Sequence, residues 1–470
     1  MSDQIDAPQI ENALLECRRL LTRSVTNRPE YSTLDRIQDD LPNFVRQCHT
    51  AYKKAQDILI RQILEIERQI HYLADSDSRK ASSKETIAQL RYWKLLLEVS
   101  FNTFVWIAMR GDRSSVRKVF KGPKYGAVTD QNIDLVLSFV SEANQDPNQF
   151  VVPLDFCRFS CISDLLRINF EETERALRVD FMEAKSGHVN AEMIETILGT
   201  EPTSYFNFFD KYGPRGIKQM EHFFRQANTS MKNQKLIRAE PGVYDDPADQ
   251  DQKLIICADE TLVENHMESV IQMLEASEYD QFAVDEIDNC LVLGVINNRQ
   301  REIAILGDFD IRLFIYHSHI NPSALQQPPD SSKLKNILKT IRLTDWREGF
   351  SSVVLQPIIL NPIPDSYLMD ILMGRKKLMY FFDATRFVEL CQKNGLNADF
   401  TTIKEANRIK SQGDAKGLIE FEGRFVRYSQ HGIQCLLGEG VYHDMVYNWI
   451  GPNSIINRMK TTRFPLQEAI

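Results

Sequence analysis

The sequence predicts a protein of the α+β or mixed α/β class, with a helical N-terminal section and strands in the remainder. In the N-terminal section, apolar residues recur at spacings of three and four, the period of an amphipathic helix. Between Gln149 and Lys185, short apolar runs are separated by polar connections, which is typical of strands joined by turns. Strand-like and helix-like segments then alternate, so we expect mixed sheets packed against helices.

Three segments of the N-terminal section have helical periodicity. The first spans residues 10–24 and the second spans Asn43 to Ala74. The polar stretch Asp75 to Lys84 interrupts the pattern, and a third helix is expected from Lys84 to Met109. We interpret residues 1–84 as a helical region that packs on the chain or associates with a second copy, so a homo-oligomer formed through these helices is one expected assembly.

Composition restricts the class of protein. The chain has 470 residues, enough for two or three domains, and its 43% hydrophobic and 26% charged residues are ordinary for a soluble protein. Its net charge of −9 argues against coating nucleic acid through overall attraction. We find neither an apolar segment of membrane-spanning length nor a signal-peptide pattern in MSDQIDAPQIEN, so we expect a cytoplasmic protein without a membrane partner.

The eight cysteines are scattered and form no Cys-x-x-Cys pair. This spacing predicts reduced, mostly buried thiols and not a zinc site or a disulfide framework.

The most informative stretch runs from Asp164 to Lys185 and has the pattern of a β-hairpin. In its second half, alternation puts Val179, Phe181, Glu183 and Lys185 on one face of a strand. Burying a carboxylate and an ammonium group at the end of an apolar strand face costs folding free energy, unless the charges are paired or hold a metal.

Phosphodiester hydrolysis would account for these charges. Asp164 and Glu183 are candidate ligands for Mg²⁺ or Mn²⁺, since Mg²⁺ prefers hard oxygen ligands. Lys185 would orient an attacking water or help to deprotonate it, and would offset negative charge on the phosphate. The competing interpretation is a surface hairpin with an ordinary Glu/Lys cross-strand pair.

The spacing of Asp164, Glu183 and Lys185 resembles the PD-(D/E)XK nuclease superfamily, although Ser163 stands where that family often has Pro. The resemblance implies a restriction-endonuclease-like αβββαβ core and a metal-dependent phosphodiesterase, with DNA favoured over RNA and endonuclease action favoured. It also suggests a role in bacterial genome defence, including antiviral defence, or in DNA repair. By the same resemblance, Gln219 would support the catalytic site, with Phe223 replacing the Tyr of a Gln-x-x-x-Tyr motif, and Glu98 is a candidate additional ligand.

Two locally basic regions flank the acidic hairpin and are expected to contact phosphates. The residues predicted to bind nucleic acid are Arg113, Arg117, Lys118 and Lys121 before the hairpin, and Lys218 and Arg225 after it.

We expect three domains: a helical region at 1–84, a nuclease-like domain at 85–325 and an α+β recognition or regulatory domain at 333–470. In the nuclease-like domain, residues 203–216 are expected to form an aromatic loop, and Cys290 to Ile296 a strand of the same sheet. The linker is Gln326 to Ser332.

Two other functions stay open. In the first, the chain is a non-catalytic subunit with the same fold that binds nucleic acid or takes part in an assembly. In the second, it is an interaction protein built on the helical region. Because no Gly-x-x-x-x-Gly-Lys-Ser/Thr motif is present, an ATP-dependent function would require a protein partner. A protein partner or another trigger could also activate the nuclease.

Overall fold

A computed structural model describes residues 5–77, 81–123, 130–182, 196, 207–218, 220–221, 224, 242–245, 253–256, 264–280, 282–298, 340–353, 355–430 and 432–461. The described residues form two compact units. Those within Met1–Ile256, together with Pro357–Leu360, make up the first unit, and those within Cys257–Gln356 and Asn361–Phe464 make up the second. Each unit combines helices with small antiparallel sheets, so the α+β class is confirmed.

The labelled helices of the first unit are α1 (Ala7–Thr22), α2 (Leu34–Asp39), α3 (Leu41–Asp77), α4 (Ala81–Phe101), α5 (Thr103–Ala108), α6 (Arg113–Val119) and α7 (Asp130–Ala143). Its strands are β1 (Phe120–Pro123), β2 (Gln149–Pro153), β3 (Phe159–Cys161), β4 (Leu165–Glu171), β5 (Ala176–Met182), β6 (Gly242–Asp245) and β7 (Lys253–Ile256).

The predicted N-terminal helices are confirmed by α1, α3 and α4, with α5 continuing the third after an interruption at Asn102. The Asp6 side chain caps α1 by accepting a hydrogen bond from Gln9 N at 2.9 Å. Helix α3 packs against α1 and α4, and its apolar stripe is buried within the chain. This packing accounts for the periodicity of α3; assembly with a second copy stays a prediction.

The strands of the first unit form three antiparallel sheets. The largest has the order β2-β4-β5, and the pairs β1-β3 and β6-β7 are separate. Helix α7 packs on β2, where Val136 and Val140 contact Val151 and Leu165. Strand β2, which begins this sheet, ends at Pro153, because a 3-10 turn at Leu154–Phe156 then redirects the chain.

The labelled helices of the second unit are α8 (Met267–Asp280), α9 (Asp365–Leu372), α10 (Ala384–Lys393), α11 (Ile403–Ser411), α12 (Glu439–Tyr447) and α13 (Pro452–Thr461). Its strands are β8 (Phe282–Ile287), β9 (Leu291–Asn297), β10 (Ile341–Asp345), β11 (Lys376–Asp383), β12 (Asn397–Phe400), β13 (Glu420–Phe421), β14 (Arg424–Gln430) and β15 (Ile433–Leu436).

The strand predicted at Cys290 to Ile296 is β9, but it does not extend the hairpin sheet. It lies in the second unit, in a four-stranded sheet of order β10-β11-β9-β8. All seven positions of β9 are buried, as expected for a central strand. Its apolar sequence predicted a strand, but strand pairing decides which sheet it joins.

Other local expectations have mixed outcomes. The described residues 207–218 are helical and not an aromatic loop. The Phe208 ring packs on Tyr212 four residues later, at 4.9 Å between centroids, so the aromatic residues stabilise a helix. Seven of the eight cysteines lie in the described residues, where all seven are free thiols and four are buried. The linker Gln326 to Ser332 lies outside the described residues.

No helix in the described part of the chain is both long enough and apolar enough to cross a membrane.

Candidate functional site

Strands β4 and β5 form the hairpin predicted from the sequence. Their antiparallel register pairs Leu165 with Met182 at the open end and Glu171 with Ala176 at the turn. The register gives the sheet two chemically different faces, because side chains alternate along each strand.

One face of the hairpin is apolar and partly buried. It carries Leu166, Ile168 and Phe170 of β4 and Leu177, Val179 and Phe181 of β5. On the neighbouring strand β2, the Phe150 ring lies 5.4 Å from that of Phe104 in α5 and 5.7 Å from that of Tyr52 in α3, measured between centroids. The predicted face of Val179 and Phe181 is therefore the one that contributes to the core.

The opposite face carries an ion-pair network near the hairpin turn. Arg167 Nη2 of β4 lies 2.8 Å from Asp180 Oδ2 of β5, and Arg178 contacts both Asp180 at 3.2 Å and Glu171 at 3.6 Å. Partial burial acts to raise the pKa of Asp180, but the hydrogen bond from Arg167 and the charge of Arg178 outweigh it and lower the pKa. These charges are paired across the strands and have a structural explanation.

Asp164 is half-buried and directly precedes β4. Its carbonyl oxygen accepts a hydrogen bond from Leu154 N at 2.8 Å, which ties the beginning of β4 to the 3-10 turn after β2. The neighbouring Ser163 hydroxyl donates to the Leu165 carbonyl oxygen at 3.0 Å. The main chain around the candidate ligand is thus held by two local hydrogen bonds.

The other predicted catalytic residues, Glu183, Lys185 and Gln219, lie outside the described residues, as does Arg225. Their roles stay predictions. Met182, the partner of Leu165, is the residue before Glu183 in the chain. Among the residues that the structure describes, which omit Glu183, no group of three or more His, Cys, Asp or Glu side chains is arranged to hold a metal ion.

The first basic region is more ordered than a loop. Asp112 accepts a hydrogen bond from Ser115 N at 3.0 Å and caps α6, which carries Arg113, Arg117 and Lys118. Arg117 is exposed, whereas Lys118 is half-buried. Burial lowers the pKa of Lys118, and the charge of Asp112 partly opposes the change.

This basic helix lies beside the segment that leads to Asp164. Ile162 N donates to Val119 O at 3.0 Å, and β1, which carries Lys121, pairs with β3. Two basic residues at the end of α6 therefore adjoin the chain only a few positions before the candidate metal ligand. The second basic region is described at Lys218, which is helical and exposed.

Glu98, the candidate additional ligand, takes part in a charged cluster. Its carboxylate lies 3.3 Å from Lys94 Nζ and 3.8 Å from Arg158 Nη1. Lys94 also contacts Glu67. Burial acts to lower the pKa of Lys94, but the two carboxylates outweigh it and raise the pKa. These contacts explain the near-complete burial of Glu98 without a metal.

Sequence reasoning did not find the groove beside β5. A cavity of about 750 Å³ lies between the Ala108–Ser115 segment and the hairpin, with Leu177, Val179 and Phe181 along its floor. A smaller apolar pocket of about 110 Å³ adjoins it and shares Ala108, Arg110, Leu177 and Val179 with it. Only the fold brings these two distant parts of the sequence together.

No family model, curated protein or solved structure matches this chain in the comparisons with known proteins.

Proposed function

We propose that the chain is a metal-dependent nuclease that hydrolyses phosphodiester bonds, with DNA as the favoured substrate. The observation that supports it most directly is the main-chain hydrogen bond from Ile162 to Val119, at 3.0 Å. Through this contact, the end of the basic helix α6 adjoins the segment that leads to Asp164. Phosphate-binding cations next to a candidate metal ligand are the combination that a nuclease requires.

The chemistry of the available donors suits a divalent cation. Asp164 and Glu183 supply carboxylate oxygens, and Mg²⁺ is usually held by one or two carboxylates with waters and phosphate oxygens completing its shell. The main-chain hydrogen bond from Leu154 N to Asp164 O, at 2.8 Å, restrains the backbone of one donor. Mn²⁺ would suit the same oxygen donors.

The protein side chains would divide the remaining work. A bound divalent cation supplies Lewis-acid polarisation of the phosphate. Lys185 would hold the attacking water and offset the negative charge that grows on the phosphate in the transition state. Gln219 would orient the same groups, and Arg117 and Lys118 would bind neighbouring phosphates.

The test is cleavage of single- and double-stranded DNA and RNA with Mg²⁺ or Mn²⁺. We would compare the wild type with Glu183→Gln, Lys185→Ala and Asp164→Asn. Asp180→Asn is the matched control, because it removes a carboxylate from the opposite face of the same hairpin. We expect metal-dependent cutting that the first three variants lose by a factor of at least about 100 and the control retains.

Cutting that Glu183→Gln and Lys185→Ala both retain would contradict the proposal. If the wild type neither cuts nor binds Mn²⁺ by calorimetry, the chain is not a metal-dependent nuclease. Nucleic-acid binding without metal affinity would then favour the non-catalytic alternative.

A further inference from the structure

The groove beside β5 has an unusual residue at its edge. Arg110 follows α5, its side chain is exposed, and its backbone has a positive φ of 55°. Gly111 N donates to Trp106 O at 2.8 Å and Arg110 N donates to Ile107 O at 3.0 Å. These two hydrogen bonds form a Schellman motif, and Arg110 occupies the left-handed position where glycine is the usual residue.

An arginine at this position is less favourable for folding than a glycine. The left-handed conformation costs a residue with a Cβ atom roughly 1 kcal/mol. Within the described residues, the Arg110 side chain has no ion-pair or hydrogen-bond partner that would offset this cost. Arg178, which also lines the groove, is paired with Asp180 and Glu171. Arg110 is therefore available to bind an anion.

The groove carries charges of both signs around Arg110. Its lining includes Arg110 and Arg178 together with Asp112, Glu171 and Glu174, while helix α6 places Arg113, Arg117 and Lys118 in the same segment but outside the lining. A volume of about 750 Å³ is within the range of roughly 300–1,000 Å³ that is typical of ligand sites. Leu177, Val179 and Phe181 supply the apolar part of the lining, and Phe181 lies two residues before Glu183 in the chain.

The adjoining pocket suits a flat, largely apolar group. Its walls include Phe44, Tyr52, Ile107 and Ile168, and its volume is about 110 Å³. Aromatic walls of this kind accept a nucleic-acid base through stacking, whatever the base.

His49 is one of the residues that line this pocket. Its Nδ1 lies 3.2 Å from Pro147 O, and because a carbonyl oxygen only accepts, Nδ1 carries the proton. Burial lowers the pKa of His49 to about 4, so the ring is neutral at physiological pH and Nε2 is an acceptor.

We propose that the groove binds single-stranded nucleic acid, with a backbone phosphate on the Arg110 guanidinium and the adjacent base in the pocket between Phe44 and Tyr52. The choice of nucleic acid as the ligand rests on the proposed nuclease function. The groove specifies where the nucleic-acid strand lies and which residues hold it. A peptide with an acidic residue next to an aromatic residue has similar local chemistry and provides the competing outcome.

The test is fluorescence anisotropy with a labelled 12-nucleotide single-stranded DNA in EDTA, so that binding is measured without cleavage. The key variant is Arg110→Gly, which removes the guanidinium and relieves the left-handed backbone. Arg91→Ala, exposed on α4, removes one positive charge outside the groove. Val179→Phe fills the shared wall of groove and pocket.

We expect Arg110→Gly to weaken binding by a factor of at least about 10 while its thermal midpoint stays equal to the wild type or rises. Arg91→Ala should bind within twofold of the wild type. An abasic oligonucleotide of the same length should bind at least about fivefold more weakly than the normal one, because base stacking is lost. Val179→Phe should reduce this preference for normal over abasic DNA.

Three results would overturn the inference. The first is that the wild type does not bind the DNA, and the second is that Arg110→Gly binds it as tightly as the wild type. The third is that a peptide with an acidic residue next to an aromatic residue binds more tightly than the DNA and displaces it.

The Glu183→Gln variant separates the two proposals. If it binds DNA normally in EDTA while the wild type neither cleaves DNA with metal nor binds Mn²⁺, the groove assignment stands and the nuclease proposal fails. If the wild type cleaves with metal and Arg110→Gly binds DNA as tightly as the wild type, the nuclease proposal stands and the groove assignment fails.

Discussion

Ile162 donates its main-chain N–H to the carbonyl oxygen of Val119 at 3.0 Å, and this contact joins the basic helix α6 to the chain before Asp164. The contact spans more than forty residues of sequence. If nucleic acid lies along this junction, the exposed guanidinium of Arg117 on α6 is in position to contact a phosphate.

We therefore expect Arg117→Ala to weaken DNA binding equally for unrelated sequences. Loss of one phosphate contact should also reduce the slope of log K against log[salt] by about 0.7–0.9. Anisotropy titrations between about 50 and 200 mM salt measure this slope, because counterion release dominates the salt dependence of binding in this range. Arg61→Ala, exposed on α3, is the control; an equal change in that variant would show that the effect is not local.

The buried His49 predicts a pH dependence of stability. Burial lowers its pKa from 6.5 to about 4, with the Pro147 carbonyl, Lys53 and Asp146 as smaller influences. Between these two values the unfolded chain binds more protons than the native chain, so the free energy of unfolding falls as the pH drops through this window. The contribution of His49 to the free energy of unfolding is fully present above pH 6.5, where it reaches up to about 3 kcal/mol.

Urea unfolding at pH 7.5 and 4.5 tests this prediction. The His49→Gln variant should lose less stability on acidification than the wild type, because glutamine does not titrate. His71→Gln provides a matched control, since His71 is exposed on the same helix. An acid-induced loss that is the same in His49→Gln and in the wild type would contradict the assignment.

Gly349 in the second unit is held in close contact with Tyr447. A Cβ atom at this position would lie 2.6 Å from Cδ1 and 2.9 Å from Cγ of the buried Tyr447 ring. The ring has little room to move because its residue is 3% exposed. We expect Gly349→Ala to destabilise the protein by about 1–3 kcal/mol.

Gly440 is the natural comparison for Gly349. It lies in α12, and a Cβ added there would meet no atom within 4 Å. Gly440→Ala should therefore be neutral or stabilise the helix by up to about 1 kcal/mol. Chemical denaturation of both variants measures the difference, and an equal loss of stability in the two would refute the packing argument.

The ion pairs of Glu98 predict a structural role for this residue. Glu98→Gln removes the negative charge that faces Lys94 and Arg158 and should destabilise the first unit by about 1–3 kcal/mol. Mn²⁺ affinity, measured by calorimetry, should stay unchanged. Glu85→Gln, exposed on the same helix, serves as the control; a selective loss of metal affinity in Glu98→Gln would instead make Glu98 a ligand.

Local pattern was sufficient to predict the elements that build the candidate site. The hairpin of β4 and β5 follows from alternation and turn residues, and α3 follows from its three-and-four spacing. These periods report how one segment presents its own side chains, so they can be read without knowing the partner. The αβββαβ core and the residues Glu183, Lys185 and Gln219 stay predictions.

The groove, by contrast, could not be predicted from local pattern. It needs the end of α5 to lie beside β5, although Arg110 and Val179 are far apart in sequence. A helix end followed by Arg-Gly-Asp was the available signal for a left-handed cap, but nothing local indicates which strand it faces. The same reason explains why β9 pairs with β11 and not with the hairpin sheet.

The sequence by itself determined the α+β class, the long N-terminal helices, the hairpin and the chemical types available at its open end. Tertiary structure decided that Glu98 is held by Lys94 and Arg158, that α6 joins the chain before Asp164, and that Arg110 lines a groove. Secondary structure depends on the preferences of neighbouring residues, whereas these contacts depend on how segments distant in sequence pack together.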